Sequence, residues 1–197
     1  MNVYDTAMDV FRQRLQTDNE ALLKDLAEHC DLVQVPKGTV LFREGSVLRD
    51  CYCLVDGIIR ISYMMGGEEI TEALMNRRGT VLYPSVALTG VEDRANGTVS
   101  ALTDCTLLHV SIHVFSDIKN SHPDFEKIQL QLVLQFVDRS FKLKRHMTHM
   151  SPTERYLWFA ENRPELIENV PQKYIASFLG MTPVSLSRIR SKIKEKA

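Results

Sequence analysis

No run of eighteen or more uncharged apolar residues occurs anywhere in the 197-residue chain, whereas a helix crossing a bilayer core needs roughly 20. A membrane-spanning helix is therefore not expected. The N-terminus, MNVYDTAMDVFRQRL, sets two aspartates and two arginines among its apolar residues. It lacks the basic start and apolar stretch of a secretory signal, so a cytoplasmic chain is expected. Catalytic signatures are missing too: no Gly-x-Ser-x-Gly, no phosphate loop and no His-Glu-x-x-His. With no nucleophile beside a sequence-marked base, an enzyme is not expected. Cysteine is scarce, with four residues (Cys30, Cys51, Cys53, Cys105) and no loop cluster of the kind an iron–sulfur or redox site wants. All four read as buried reduced thiols. Cys51 and Cys53 read as pointing to opposite faces of a strand, unable to converge on one metal. His146 and His149 lie three apart on one helix without a third ligand at metal spacing, and His109 and His113 read as packing or surface groups. Neither a metal nor a cofactor is expected.

What is present is an ordinary globular composition, 44% apolar and 25% charged, in a chain long enough for one medium domain or two small ones. The near-neutral total hides an asymmetry. Residues 1–138 carry 12 Lys and Arg against 20 Asp and Glu, a net of −8, and residues 139–197 carry 12 against 5, a net of +7. A basic C-terminal module facing a polyanion follows from that division.

Texture divides the chain into three zones. Leu22, Leu23, Leu26 and Ala27 in Asn19–His29 predict a short helix capped by Asn19 or Asp18. From Leu32 to Phe115, short apolar runs predict strands at 32–35, 40–42, 51–55, 58–64, 69–75, 80–83, 97–102 and 106–111. Gly- and Asp-rich turns separate them, with Asp56-Gly57 read as a hairpin. Many short strands at near-regular spacing suggest an antiparallel sandwich or jelly roll. After Pro123 the pattern turns helical. Phe125, Ile128, Leu132, Phe136, Leu143 and Met147 recur at helical spacing, and Leu130, Val133, Leu134, Val137 and Phe141 widen the stripe. A helix from Pro123 to His149 is about 40 Å long, more than the sheet domain covers, which points to a partner helix on the other side.

Ser151-Pro152-Thr153-Glu154 then starts a new helix that stops before Pro164. In PQKYIASFLGMTPVSLSRIRSKIK (171–194), Ile175, Phe178 and Leu179 define one helix and Gly180 its end. Thr182 and Pro183 open the next, whose Leu186, Ile189 and Ile193 face inward. Two short helices joined by a glycine turn, the second bearing small polar residues and arginines, suit a reader of the DNA major groove. Gln172, Lys173, Thr182, Ser185, Ser187, Arg188, Arg190 and Lys192 are the expected DNA contacts. Serine and threonine reach base edges or phosphates, arginine bonds guanine bidentately, and lysine meets the phosphate backbone.

Taken together, the chain resembles the Crp/Fnr family of bacterial transcription regulators over nearly its whole length. VPKGTVLFREGSVLRDCYCLVDGIIRISY (35–63) looks like the start of that family's cyclic-nucleotide-binding-type jelly roll. The long helix is similar to its dimer helix, and VPQKYIASFLGMTPVSLSRIR (170–190) to its helix-turn-helix. The resemblance implies an α+β fold: an N-terminal double-stranded β-helix (jelly roll) as sensor domain at 1–120, a long dimerisation helix at 121–150 and a C-terminal helix-turn-helix at 151–197. It further implies a homodimer through the 123–149 helix, double-stranded DNA as partner, a small-molecule effector and contact with RNA polymerase. Members that bind cyclic AMP use a Phe-Gly-Glu turn followed by an Arg-Ser/Thr pair. Here VLYPSVALTGVEDRANGTVSAL (81–102) places Tyr83-Pro84 where Gly-Glu would be and Arg94-Ala95-Asn96 near the expected arginine. Proline also removes an N–H that could cradle phosphate. The departures argue against a cyclic nucleotide and leave Tyr83, Ser85, Arg94, Asn96 and Thr98 as the effector-pocket candidates, for another small ligand or for none. Pro183 and Val184 replace a base-reading arginine and glutamate, while Arg188 matches a base-reading arginine. The short 163–172 link leaves little room for the family's β wing. The rival reading is a sensor of cyclic nucleotides or other small ligands that acts through protein contacts.

Overall fold

The computed structural model describes residues 2–82 and 92–195. Two helices come first. In α1 (Val3–Leu15), the Asn2 side chain accepts from the Tyr4 amide, and Ala7, Val10, Phe11 and Leu15 form the buried face. The sequence reading weighs this stretch only as a targeting signal and passes over the helix. In α2 (Glu20–Glu28), Asn19 is the cap, accepting from the Leu22 amide at 3.1 Å, and the four expected apolar residues are buried.

Ten strands follow: β1 (Asp31–Val35), β2 (Val40–Phe42), β3 (Val47–Leu48), β4 (Asp50–Asp56), β5 (Ile59–Met65), β6 (Glu68–Met75), β7 (Val81–Leu82), β8 (Asp93–Arg94), β9 (Thr98–Ala101) and β10 (Cys105–Ser111). They form one antiparallel sheet in the order β1-β10-β4-β7, a second in the order β2-β9-β5-β6, and a β3-β8 pair. The two sheets share a core in which Val35, Leu54, Leu82 and Leu107 from the first meet Phe42, Ile59, Ile61 and Val99 from the second. The other face of the first sheet lies under the helices, so β4 and β10 are buried on both sides. The two-residue pair β3-β8 has no counterpart in the sequence reading.

Two sequence expectations fail here. Asp56-Gly57 is not a hairpin, because β4 and β5 lie in different sheets. Gly57, at φ +103, turns a corner between them so tightly that a Cβ would meet the Asp104 carbonyl at 2.7 Å. Local chemistry marks a positive-φ glycine equally for hairpin or corner, and only tertiary packing separates the two. The hairpin of this region joins β5 to β6 through Gly66 and Gly67, both at positive φ. Cys51 and Cys53 do not point apart: residues two apart share a face of a strand, and both enter the helical core beside Cys30. Burial pushes the Cys30 and Cys53 thiols up to about 12 and raises Cys51 as well, which makes them poor nucleophiles. All four cysteines are free and buried.

Beyond the sheets the described chain is helical. A short α3 (Ile112–Ser121), absent from the sequence reading, continues directly from β10. It leads to α4 (Phe125–His149), 25 residues and about 37 Å long. Only Phe125, Ile128 and Gln129 of α4 are buried, whereas Leu130, Leu134, Phe136, Val137 and Phe141 are 41–60% exposed. Then come α5 (Pro152–Asn162), α6 (Pro164–Asn169), α7 (Gln172–Phe178) and α8 (Pro183–Lys194). The anticipated capping box opens α5: the Ser151 amide donates to Glu154 at 2.7 Å and the Glu154 amide to the Ser151 hydroxyl at 3.3 Å. Pro164, which ends α5, also starts α6, and the 163–172 link holds this turn of helix rather than strands. Helices α5 to α8 bury Phe159, Leu166, Ile175, Leu179 and Leu186 among themselves. Ile58 and Leu74, from the second sheet's outer side, join that core.

Candidate nucleic-acid interface and sensor pocket

Three backbone devices set the geometry of α7 and α8. Gly180 takes φ +64, the Gly180 amide donates to Ser177 O and the Met181 amide to Ala176 O, a paired closure that satisfies the last carbonyls of α7. Thr182 then caps α8, its hydroxyl accepting from the Ser185 amide at 3.1 Å. Pro183 sits where no amide partner is needed. Leu186 is buried against α7, with Ile189 and Ile193 packed beside it, as the sequence spacing predicts.

Opposite that face, Val184, Ser187, Arg188, Ser191 and Lys192 are exposed and follow one another around the helix at three- and four-residue steps. No hydrogen bond or ion pair holds Ser187, Arg188, Arg190 or Lys192 among the described residues. Ser185 and Arg190 are half-buried, and the Ser185 hydroxyl, 2.9 Å from that of Thr182, serves the cap. Gln172 and Lys173 are exposed at the start of α7, and Lys173 Nζ lies 4.8 Å from the Tyr174 ring. Ser191, which the sequence reading does not name, lies on the same stripe at helical spacing from Arg188, as does Val184, which that reading sets at a base-reading position without counting it a contact.

The first of these helices, α7, docks on the β domain. Arg60 of β5, 3% exposed, donates from Nε to Thr71 Oγ1 and from Nη1 to Glu69 Oε1, both at 2.9 Å. Its guanidinium carbon sits 4.0 Å above the Tyr174 ring. The Thr71 amide of β6 donates to Ser177 Oγ at 2.8 Å, and Arg163 Nη1 donates to Leu74 O at 3.2 Å. Hydrogen bonding from Arg60 first, and from Ser62, holds the Glu69 carboxyl below its ordinary value against a smaller effect of burial. These groups fasten α7 and leave the outer face of α8 open.

Of the sensor-pocket candidates, Tyr83 and Ser85 lie outside the described residues. Arg94 is exposed on β8, its Nη1 donating to Gly45 O at 2.8 Å. Asn96 is exposed, and the Thr98 hydroxyl accepts from the Glu44 amide at 3.2 Å. The larger described cavity, about 590 Å³, is lined by other residues, from α1, the turn after β6 and α4. His146 stacks on Trp158 with ring centroids 4.6 Å apart, and no group of three His, Cys, Asp or Glu side chains able to hold a metal occurs among the described residues.

Residues 32–122 match the family model of the cyclic nucleotide-binding domain. Among curated proteins no sequence match was found. Among solved structures, the chain is similar to the c-di-GMP responsive global regulator CLP of Xanthomonas campestris, at 16% identity over 90% of this chain and 93% of that one, with a TM-score of 0.71. It is similar to a CooA variant from Carboxydothermus hydrogenoformans, at 15% identity, 95% and 84% coverage and a TM-score of 0.63. The N-terminal domain of a transcriptional regulator from Streptomyces coelicolor A3(2) matches at 18% identity over 73% of this chain and all of that one, with a TM-score of 0.57. At such identities the likeness is one of fold. Residues 32–122 thus match the cyclic nucleotide-binding domain, in a chain whose fold is similar to those of these solved regulators.

Proposed function

We propose that this chain is a homodimeric, sequence-specific transcription regulator of the Crp/Fnr type, acting in the cytoplasm without catalysis. Its β domain is the jelly-roll sensor, α4 the dimerisation helix, and α7–α8 a helix-turn-helix that places α8 in the major groove. The observation that carries this reading is the open stripe of α8. Ser187, Arg188, Ser191 and Lys192 stand exposed, without described carboxylate partners, on a capped helix at the end of a unit of net charge +7. Arg188 suits a guanine edge, the Val184 side chain a thymine methyl, and Lys192 the phosphates.

Dimerisation is supported by α4. Leu130, Leu134, Val137 and Phe141 are exposed at steps of four, three and four, the spacing of a two-helix seam. A second copy of α4 would bury them and hold two α8 helices for half-sites about 34 Å apart. The effector is a small molecule other than a cyclic nucleotide, because Tyr83-Pro84 replaces Gly-Glu and the Arg94 fork is turned onto Gly45 O. RNA polymerase is the further partner at activated promoters.

Fluorescence anisotropy with the promoter DNA upstream of the protein's own gene tests this reading across a salt series. Arg188→Ala should weaken binding by about 1–3 kcal/mol and relax the preference at one base pair, whereas Lys192→Ala should weaken all sequences alike and lower the salt slope by about one. Sequence-blind binding, or an unchanged Arg188→Ala variant, refutes it. Leu134→Glu should convert the dimer to a monomer in analytical ultracentrifugation and abolish tight binding to the two-fold site. A dimer that persists in that variant places the seam elsewhere.

A further inference from the structure

The cavity of about 590 Å³ is built from three distant segments and is rich in unmatched positive charge. Arg14 comes from α1, Arg77 and Arg78 from the turn between β6 and β7, and Arg139 from α4. Against these four guanidiniums the described residues set one carboxylate, Asp9, which Arg78 bonds at 2.9 Å. Arg14 and Arg77 have no side-chain hydrogen bond or ion pair among the described residues, and Arg139 has only a 3.5 Å contact to Gln135. The Arg14 Nε is fully buried without an acceptor. Burial first, then the like charge of Arg139, holds the Arg14 guanidinium below its ordinary value.

Buried donors are normally satisfied, and like charges are not normally gathered in a concavity. The surroundings fix this arrangement. Gly79, at φ +79, donates its amide to Leu54 O at 2.7 Å, which pins the turn to β4. A Cβ at Gly79 would rest in ordinary contact with Arg14 Cβ at 3.5 Å, so the backbone conformation rather than space calls for glycine here. The remaining wall is mixed, with Leu132 and Phe136 of α4 prominent in its apolar part and Gln13, Gln16, Thr80 and Gln135 adding uncharged polar groups. Low-dielectric walls strengthen the field inside a charged cleft, and about 590 Å³ falls within the roughly 300–1,000 Å³ of small-molecule sites.

We infer that this cavity is a binding site for an organic phosphate bearing two or more negative charges. Its phosphates would sit among Arg14, Arg77 and Arg139 and its flat apolar body against Phe136. The site is separate from the sensor-pocket candidates Arg94, Asn96 and Thr98, none of which lines it. An anion held there ties α1 to α4, the helix proposed above as the dimer seam, and so gives the β domain a means of reaching that helix.

The test is calorimetry on the full-length protein, without DNA, using inorganic pyrophosphate and ADP as probes. Both should bind, ADP more tightly because it adds the apolar body. Arg77→Gln and Arg139→Gln, at exposed positions, should each weaken both probes by about 10- to 100-fold, as expected for the loss of a charge-assisted hydrogen bond. Arg188→Ala should leave both affinities unchanged, which separates this site from the DNA-facing helix. Without anion, Arg77→Gln and Arg139→Gln should melt at or above the wild-type temperature, since each relieves repulsion. Three results overturn the proposal: no heat at millimolar probe, binding that falls in Arg188→Ala as much as in Arg139→Gln, or a melting temperature lowered by the glutamine variants in the absence of anion.

Discussion

Arg60 and Arg14 are both arginines with guanidinium nitrogens shut away from water, yet the two regions around them are built in opposite ways. Around Arg60, between the second sheet and α7, the chain supplies Thr71 for Nε, Glu69 for Nη1 and the Tyr174 ring, leaving only Nη2 without an acceptor. Around Arg14, between α1 and α4, it supplies further arginines, apolar side chains and uncharged polar groups, and no carboxylate lines the cavity among the described residues. A matched buried cation fixes two units against each other, because removing either partner leaves the other stranded. An unmatched one holds nothing together and marks where a counter-charge from outside would fit. Partner inventory, rather than burial, separates a structural arginine from a ligand-binding one.

The largest effect should come from breaking the matched side. Arg60→Met leaves Glu69 and the Thr71 hydroxyl without their donor. Losing one partner of a buried pair costs roughly 3–5 kcal/mol, and half-exposed Glu69 puts this case near the lower end, about 3 kcal/mol. Urea unfolding should show that loss, together with earlier release of α5–α8 from the β domain. A smaller effect sharpens the comparison through pH. Because Arg60 holds the Glu69 carboxyl below its unfolded value, the pair contributes stability above the unfolded carboxylate range near pH 4.3 and loses it as pH falls through the lowered folded value. The difference in urea-unfolding free energy between wild type and Glu69→Gln should stay constant near neutrality, remain under about 1 kcal/mol for so exposed a carboxylate, and vanish in acid. A difference that grows as the pH falls would show that Glu69 is not the partner that matters.

Much of this architecture was legible because its signals are local. Ser151-Pro152-Thr153-Glu154, Gly180 and Thr182-Pro183 each carry their helix boundary in one to four residues, and all three appear where the sequence places them. The eight strand segments read between Leu32 and Ser111 are equally local, being short apolar runs between turn formers. Asp56-Gly57 marks the limit: its chemistry fixes a positive φ, but the identity of β5's neighbours depends on β6 and β9. Helix α3 escaped because Ile112 follows β10 without a break in apolar texture, so the pattern changes period with no punctuation. The candidate groove-reading stripe is one helix and could be drawn from spacing alone, save that the cap claims Ser185. The arginine cavity could not. Arg14, Arg77 and Arg139 are about sixty residues apart from one to the next, and nothing local to any of them differs from an ordinary surface arginine.

The hydroxyl of Ser177 has a wider consequence than the fastening of one helix. It occupies an amide of β6, the outermost strand of the second sheet, whose row of main-chain donors and acceptors is a template for any extended chain that arrives. Any release of α7 from the β domain would bare that margin to other molecules. A chain built this way keeps its sheet edge shielded for as long as α7 stays docked, and the outer face of α8 is open throughout.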